Sequence, residues 1–405
     1  MSVPASTYRL QLSHRCTFRD AAALVPYLAS LGAGALHASP LLTATPGSEH
    51  GYDVADPTRV SDVLGGEEGR RALVTALREH GMQLVVDIVP NHLGVADARA
   101  NPAWWDLLCH GPDSRYASWF DITGWPLQLP VLADDPAALE DLQVDDSGDD
   151  PVLRYHSRAF PLAAGTADAG SVQQVHEAQH YRLVSWRADL GYRRFFAVSD
   201  LAAVKVEDPA VFAALHGEVL RWVAAGDVDG LRVDHPDGLT DPTGYAHRLR
   251  QHAPDAWIVG CELWDHSLVD PDNGRPVDFT ARRELLERLD AGWLPEVDAT
   301  GAAKLLVVSR ALRTRRDHPE RFTDYAPVLA SGDAAQHAVA FERRGVIAVA
   351  TRLPVGLAAR GGWGDTILPL PDGSWTDALT DTPVHGTPEL SQLLPRYPTA
   401  LLIRH

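Results

Sequence analysis

Gly230-Leu231-Arg232-Val233-Asp234-His235-Pro236-Asp237-Gly238 decides the reading of this chain. An apolar strand pattern runs from Val228 to Val233, ends on an aspartate and breaks at once into a Pro/Gly turn. The carboxyl ends of strands in a β/α barrel are where catalytic side chains sit. Arg232 lies two residues before Asp234, so both side chains leave the strand on one face. A guanidinium beside a carboxylate keeps it ionised, as a nucleophile requires. The same residues also allow a structural reading. Strand-terminal aspartates favour turns, and Arg232 would then be no more than an ion-pair partner.

Two further segments extend the pattern. Gln83-Leu84-Val85-Val86-Asp87-Ile88-Val89 is another apolar, β-branched run, and it ends in Pro90-Asn91-His92. His50-Gly51-Tyr52-Asp53-Val54-Ala55-Asp56-Pro57 is the third. In this order the segments resemble the sequence regions of the α-amylase superfamily, glycoside hydrolase family 13. Thr7 to Leu12, Pro46 to Val54, Tyr192-Arg193-Arg194-Phe195-Phe196 and the His235-Pro236-Asp237-Gly238 ending narrow the resemblance to its maltooligosyltrehalose synthases. It covers nearly the whole chain, with one large gap.

The resemblance implies an α/β fold: a (β/α) TIM-type barrel of the α-amylase type, incomplete, with an insertion after strand 3 and a C-terminal antiparallel β domain. The barrel would take residues 1–99 and 201–318, the insertion 100–200 and the β domain 319–405. It also implies roles. Asp234 would be the nucleophile, Arg232 would hold its charge, and Glu262 is the candidate general acid/base. His92 and Tyr52 would contact the sugar at the cleavage point, Tyr52 by stacking. Asp53, Asp87 and Asn91 would support that site, with His50 and His235 in the same motifs. The family reaction converts the reducing-end α-1,4 bond of a malto-oligosaccharide to α,α-1,1, a step in trehalose biosynthesis. The expected partner is a malto-oligosaccharide or another α-glucoside, and no metal or cofactor is implied.

Local patterns agree with strand–helix alternation, which predicts parallel strands. Strands are predicted over Tyr8 to Leu12, Gly34 to Ser39, Gln83 to Val89, Asp229 to Asp234 and Ala256 to Val259. Helices are predicted over Asp20 to Leu31, Glu67 to His80, Pro209 to Ala225 and Thr243 to His252. From Ala100 to about Asp200 the alternation breaks. Two more helices, Thr280 to Gly292 and Ala302 to Arg316, precede short strands at Ala338 to Glu342, Gly345 to Thr351, Thr366 to Leu370 and Leu401 to Arg404. Trp363 and Trp375 in that last region read either as glucan contacts or as core aromatics.

Composition excludes other classes. The chain has 405 residues, 45% of them hydrophobic, enough for a large core, and a formal net charge of −18 that repels phosphate backbones. Nucleic acid is therefore not an expected partner. Cys16, Cys109 and Cys261 are odd in number and widely spaced, unlike a disulfide framework or a zinc set. No basic-then-apolar leader and no membrane-length apolar run is visible, so a cytoplasmic protein is expected.

A complete barrel takes about 250 residues, yet only five barrel strands can be counted. After Pro254-Asp255-Ala256-Trp257-Ile258-Val259, which resembles the family's fifth strand, Gly260 to Asn273 resembles the segment that follows its last. The segment between is absent, and with it a His-Asp pair that grips the sugar. The family's acid falls two residues past Val259, at Cys261; Glu262 is one step late, and one step reverses side-chain direction. Glu262 would point away if the strand continues, or swing in if Gly260 breaks it. The alternatives are thus an active glucan transferase or hydrolase, or an impaired α-glucan-binding protein. An open sheet edge also makes a homodimer possible.

Overall fold

The computed structural model describes residues 3–148, 150–260 and 277–405. It resolves into two compact units. The first holds Arg9–Ala23 and Leu36–Gly274; the second holds Pro4–Tyr8, Leu24–Ala35 and Arg275–His405.

Five strands form one sheet: β1 (Thr7–Leu10), β2 (Ala35–Ala38), β3 (Gln83–Ile88), β4 (Gly230–Val233) and β5 (Trp257–Gly260). Their spatial order equals their sequence order. β4 pairs in parallel with β3 on one side and β5 on the other. These are the five strands predicted from sequence, each displaced by no more than a residue or two at its ends. Leu84, Val86 and Leu231 are buried on the face away from Asp87 and Arg232. The register pairs Leu231 with Val86, Arg232 with Asp87 and Val233 with Ile88. Alternation along each strand then puts Asp87, Arg232 and Asp234 on one side.

The connecting helices have sequence-encoded starts. In α1 (Phe18–Leu31) and α2 (Gly66–Glu79), Asp20 and the pair Glu67/Glu68 complement the N-terminal dipole. Asp208 caps α3 (Pro209–Ala224) by accepting from Ala210 N and Val211 N, with Pro209 in the first turn. α3 buries Val211, Phe212, Leu215, Val219 and Trp222, one stripe at helical spacing. Asp241 caps α4 (Pro242–His252). Arg70 of α2 is almost fully buried, bound to Glu67 at 2.7 Å and to Asp227 at 2.7 Å. Its guanidinium also lies 5.1 Å from the Trp222 ring centroid.

The stretch predicted to lack regular alternation is instead rich in β structure. Leu127–Leu132 pairs in parallel with Tyr181–Ser185. Leu142–Asp145, Val152–Tyr155 and Arg158–Pro161 form an antiparallel meander. Arg194–Phe195 pairs with Val198–Ala203, which pairs in turn with His92–Gly94 just past β3. Strands of two to six residues interrupted by Pro, Asp and Gly leave too short a period to register in the sequence. The hairpin of Leu42–Ala44 with Val54–Val60 was also not predicted; its register shifts twice, between Leu42 and Thr43 and between Thr43 and Ala44.

In the second unit, α5 (Phe279–Asp290) and α6 (Ala302–Asp317) pack with the C-terminal half of α1. Tyr27 meets Phe279 edge-on, and Arg313 binds Asp290 at 2.6 Å and the Ser30 carbonyl at 2.8 Å. The C-terminal sheet is antiparallel and six-stranded. Its strands are β6 (Ala326–Pro327), β7 (Ala338–Arg343), β8 (Val346–Thr351), β9 (Trp375–Asp377), β10 (Thr382–Val384) and β11 (Thr399–Arg404), in the order β6-β7-β8-β11-β9-β10. Residues 366–370 were predicted to be a strand but make only isolated bridges, through Ile367. Trp375 is buried in the core of this sheet with Ile347, Val349 and Leu402, and Trp363 packs against that core. Trp375 is thus a core aromatic, and Trp363 is partly buried. Among the described residues no helix is long and apolar enough to cross a membrane.

Gly94 makes one close approach possible. A methyl there would lie 2.5 Å from the Asp53 carbonyl oxygen and 2.5 Å from Thr45 Oγ1. The first contact is backbone, so the 45–53 loop cannot yield cheaply. Gly94→Ala is expected to cost about 1–3 kcal/mol, as overpacked sites do. An unchanged thermal midpoint would show that the loop is looser than this packing implies.

Candidate active site

The sheet's carboxyl end gathers polar residues around one carboxylate. Asp87 has no exposed side-chain surface. His37 Nε2 from β2 lies 2.6 Å from its Oδ1. The Tyr52 hydroxyl donates to its Oδ2, and Arg232 Nη1 from β4 approaches that oxygen at 3.4 Å. Arg9 from β1 stands 4.0 Å away. Four successive strands each send one polar side chain to this point.

Asp234 follows β4 directly, its N–H donating to the Ile88 carbonyl at 2.9 Å. Its Oδ1 accepts from Arg232 Nη1 at 2.7 Å. The expected pairing is present, and Arg232 does favour the ionised form, but burial opposes it. Burial pushes the Asp234 carboxyl above its ordinary range and nearby Asp87 adds to this, while Arg232 and His235 pull it down. Desolvation outweighs the guanidinium because the carboxylate is almost wholly removed from water.

His235 then turns the chain in the left-handed region, with φ +43°. Its ring lies 5.0 Å from Phe195 and 5.8 Å from Phe196. Phe195 in turn sits 4.4 Å from the His92 ring. His92 Nε2 bonds to the Tyr52 carbonyl at 3.1 Å, which makes Nε2 the donor and leaves Nδ1 as the acceptor in the neutral ring. His92 Nδ1 and Asn91 Oδ1 are buried with no hydrogen-bond partner among the described residues. Gly238 is small enough to let the Asn91 amide in, since a methyl there would lie 2.4 Å from Asn91 Nδ2. Tyr52 N–H donates to His50 Nδ1 at 3.0 Å, and the His50 and Tyr52 rings stack. Asp53 accepts from Ser48 and anchors the same turn.

The comparisons with known proteins bear on this cluster. A model of the α-amylase catalytic domain matches residues 22–256. The solved maltooligosyltrehalose synthase of Arthrobacter ramosus superposes with a TM-score of 0.92 at 30% identity, covering 99% of this chain and 100% of that one. The chain belongs to the α-amylase family, on its maltooligosyltrehalose synthase branch. A putative maltooligosyl trehalose synthase of Mycobacterium tuberculosis is 50% identical over 266 residues, 63% of this chain and 34% of that protein. A hypothetical maltooligosyl trehalose synthase of Sulfolobus tokodaii superposes with a TM-score of 0.60 at 28% identity, over 79% of this chain and 46% of that one. The chain therefore spans about a third of the length of the curated relatives it matches.

Of the residues that the sequence resemblance singled out, the structure brings together Tyr52, Asp87, His92, Arg232, Asp234 and His235, with Asn91, Asp53 and His50 next to them. Glu262 lies outside the described residues. The register between β4 and β5 is continuous through Gly260, so β5 has no bulge up to that point. Sequence reasoning assigned no role to His37, Arg9 or Phe195. The available signal was a lone polar residue in an otherwise apolar strand, as in Ala35-Leu36-His37-Ala38. Among the described residues no group of His, Cys, Asp and Glu could hold a metal ion, and Cys16 and Cys109 are free thiols.

Burial pushes His92 down to about 4. Between its ordinary value near 6.5 and that value the unfolded imidazole binds a proton and the folded one does not. Folding stability is therefore retained above 6.5 and falls as pH drops toward 4. The loss assigned to this ring is on the order of 3 kcal/mol. His92→Gln should flatten the decline of the thermal midpoint between pH 6.5 and 4. An unaltered slope would place the acid sensitivity elsewhere.

Proposed function

We propose that this chain acts on malto-oligosaccharides by a retaining transglycosylation, turning the reducing-end α-1,4 bond into α,α-1,1. The observation that carries the proposal is Asp234 at the end of β4, 2.7 Å from Arg232. A carboxylate oxygen of Asp234 attacks the anomeric carbon of the glucosyl unit next to the reducing end. The glycosidic bond breaks, and its oxygen takes a proton from a general acid as glucose leaves. The retained glucose then presents its anomeric hydroxyl, which attacks the covalent intermediate and returns the proton. The net change is an isomerisation.

Three features favour a sugar here. Tyr52 offers an aromatic face whose hydroxyl is tied to Asp87. His92 Nδ1 can accept from a sugar hydroxyl and so remove an unsatisfied buried polar atom, a penalty of about 1–3 kcal/mol. Phe195 and Phe196 border His92 and His235. The nucleophile must be ionised, and burial raises its proton affinity, so the acid limb of the rate profile should lie above the ordinary carboxylate range.

With β5 in register through Gly260, we place Glu262 one residue past the family's acid position and expect it to be misaligned. The barrel in this reading is incomplete, followed by the C-terminal sheet as a separate module, and a second copy of the chain could cover an open sheet edge.

Asp234→Asn is expected to abolish conversion of maltopentaose while leaving the thermal midpoint nearly unchanged. Reducing ends and free glucose are assayed separately, because isomerisation removes the first without producing the second. Wild-type turnover by this variant would remove Asp234 from the chemistry. Binding of maltopentaose without any turnover by the wild type would instead leave a glucan-binding protein. Glu262→Gln should cost less than about four orders of magnitude in rate, the scale of an essential carboxyl group. A larger loss would show that Glu262 is the working acid.

A further inference from the structure

The sequence motif Thr7-Tyr8-Arg9-Leu10-Gln11-Leu12 carries two polar side chains that the proposed chemistry does not use. They are Arg9, in β1, and Gln11, just beyond it. Two residues apart on an extended chain, they project to one side. Arg9 Nη2 lies 2.9 Å from the Tyr52 hydroxyl and 3.1 Å from Gln11 Oε1. Gln11 Nε2 donates to the His50 carbonyl at 2.8 Å. The pair thus holds the His50–Tyr52 turn at both ends, Gln11 at its backbone and Arg9 at the tip of its aromatic ring.

Proton counting gives this arrangement a direction. A guanidinium has donors only, so the Tyr52 oxygen must accept from Arg9. The single phenolic proton is then free to go to Asp87 Oδ2, the bond found there. Asp87 is fully buried and already receives His37 and Arg232. Arg9 therefore fixes the ring of Tyr52 at its far end and points its proton inward. Burial and Asp87 both raise the Tyr52 hydroxyl above its usual proton affinity, so it stays protonated and able to donate.

We infer that Arg9 is a positioning residue, acting through the Tyr52 hydroxyl to hold that ring as a platform for a pyranose; this rests on the glucan reading proposed above. Its guanidinium is nearly half exposed and lies on the rim, so it is not needed to fill the core.

A double-mutant cycle tests this. Arg9→Ala, Tyr52→Phe and the double variant are compared with the wild type for kcat and KM on maltopentaose. Misplacement of a site group by about 1 Å can cost on the order of 100-fold, and Arg9→Ala should lose about 10- to 100-fold in kcat/KM. In the Tyr52→Phe background the same change should lose less than about threefold, because its point of action is gone. Arg9→Lys, which still donates to the hydroxyl, should recover part of the loss. Additive effects, or no effect of Arg9→Ala, would overturn the inference. Hydrogen–deuterium exchange over residues 48–53 supplies a readout independent of turnover. Exchange there should rise in Arg9→Ala and stay near the wild-type rate in Arg9→Lys. Unchanged exchange in Arg9→Ala would overturn the inference. If the wild type proves inactive, the glucan reading fails, and the exchange result still decides the role of Arg9.

Discussion

The carboxylate of Asp87 is the constraint on which the site depends. It is wholly removed from solvent, and a buried ion persists only when its charge is paired and its lone pairs are filled. His37, Tyr52 and Arg232 fill them, and Arg9 stands just beyond. Those partners come from β1, β2, β4 and the 50–53 turn. Satisfying one charge therefore sets the relative heights of four strands and the attitude of the Tyr52 loop. Removing Arg232 would take away the nearer guanidinium, and removing His37 would leave a buried carboxylate lone pair unfilled, either of which costs more than the lost bond itself.

Asp234 inherits its environment from this arrangement. Arg232 stands between the two carboxylates, at 3.4 Å from Asp87 and 2.7 Å from Asp234. One guanidinium serves both, so neither acid has it alone. Together with burial, this explains why Asp234 is raised despite its short ion pair. A carboxyl group in this setting holds its proton more tightly than a surface aspartate and is a stronger base once ionised. Phe195 lies beside His92 and His235, and the exposed Phe196 flanks it.

Much of this was legible in the amino-acid order because the central strands β2, β3 and β4 are largely buried and read as continuous apolar runs. In such a run an Asp or Arg has few innocent explanations, and Asp87, Arg232 and Asp234 stood out for that reason. Tyr52, Asn91 and His92 were found through motif resemblance; their own periodicity carries no signal. The break in alternation after Ala100 was legible, but the short strands between Asn101 and Ala203 were not. Those strands are short, and some of their partners lie tens of residues away, so no local period marks them. The same loss of signal turned 366–370 into a strand. That run is apolar because Leu368 is buried, and burial does not require a ladder.

By itself the sequence determined the five strands of the sheet, the helices between them, the acidic surface and the family to which the chain belongs. Each follows from local composition or from a short motif whose residues are adjacent in the chain. Tertiary structure alone decided that Asp87 is the hub, that His37 and Arg9 belong to it, and that Asp234 is raised and not lowered. Those facts depend on which side chains converge across β1 to β4 and on how much water they exclude. Convergence and desolvation are properties of distance through space, and separations such as that of Arg9 from Tyr52 or Asp87 from Arg232 leave no trace in the order of residues.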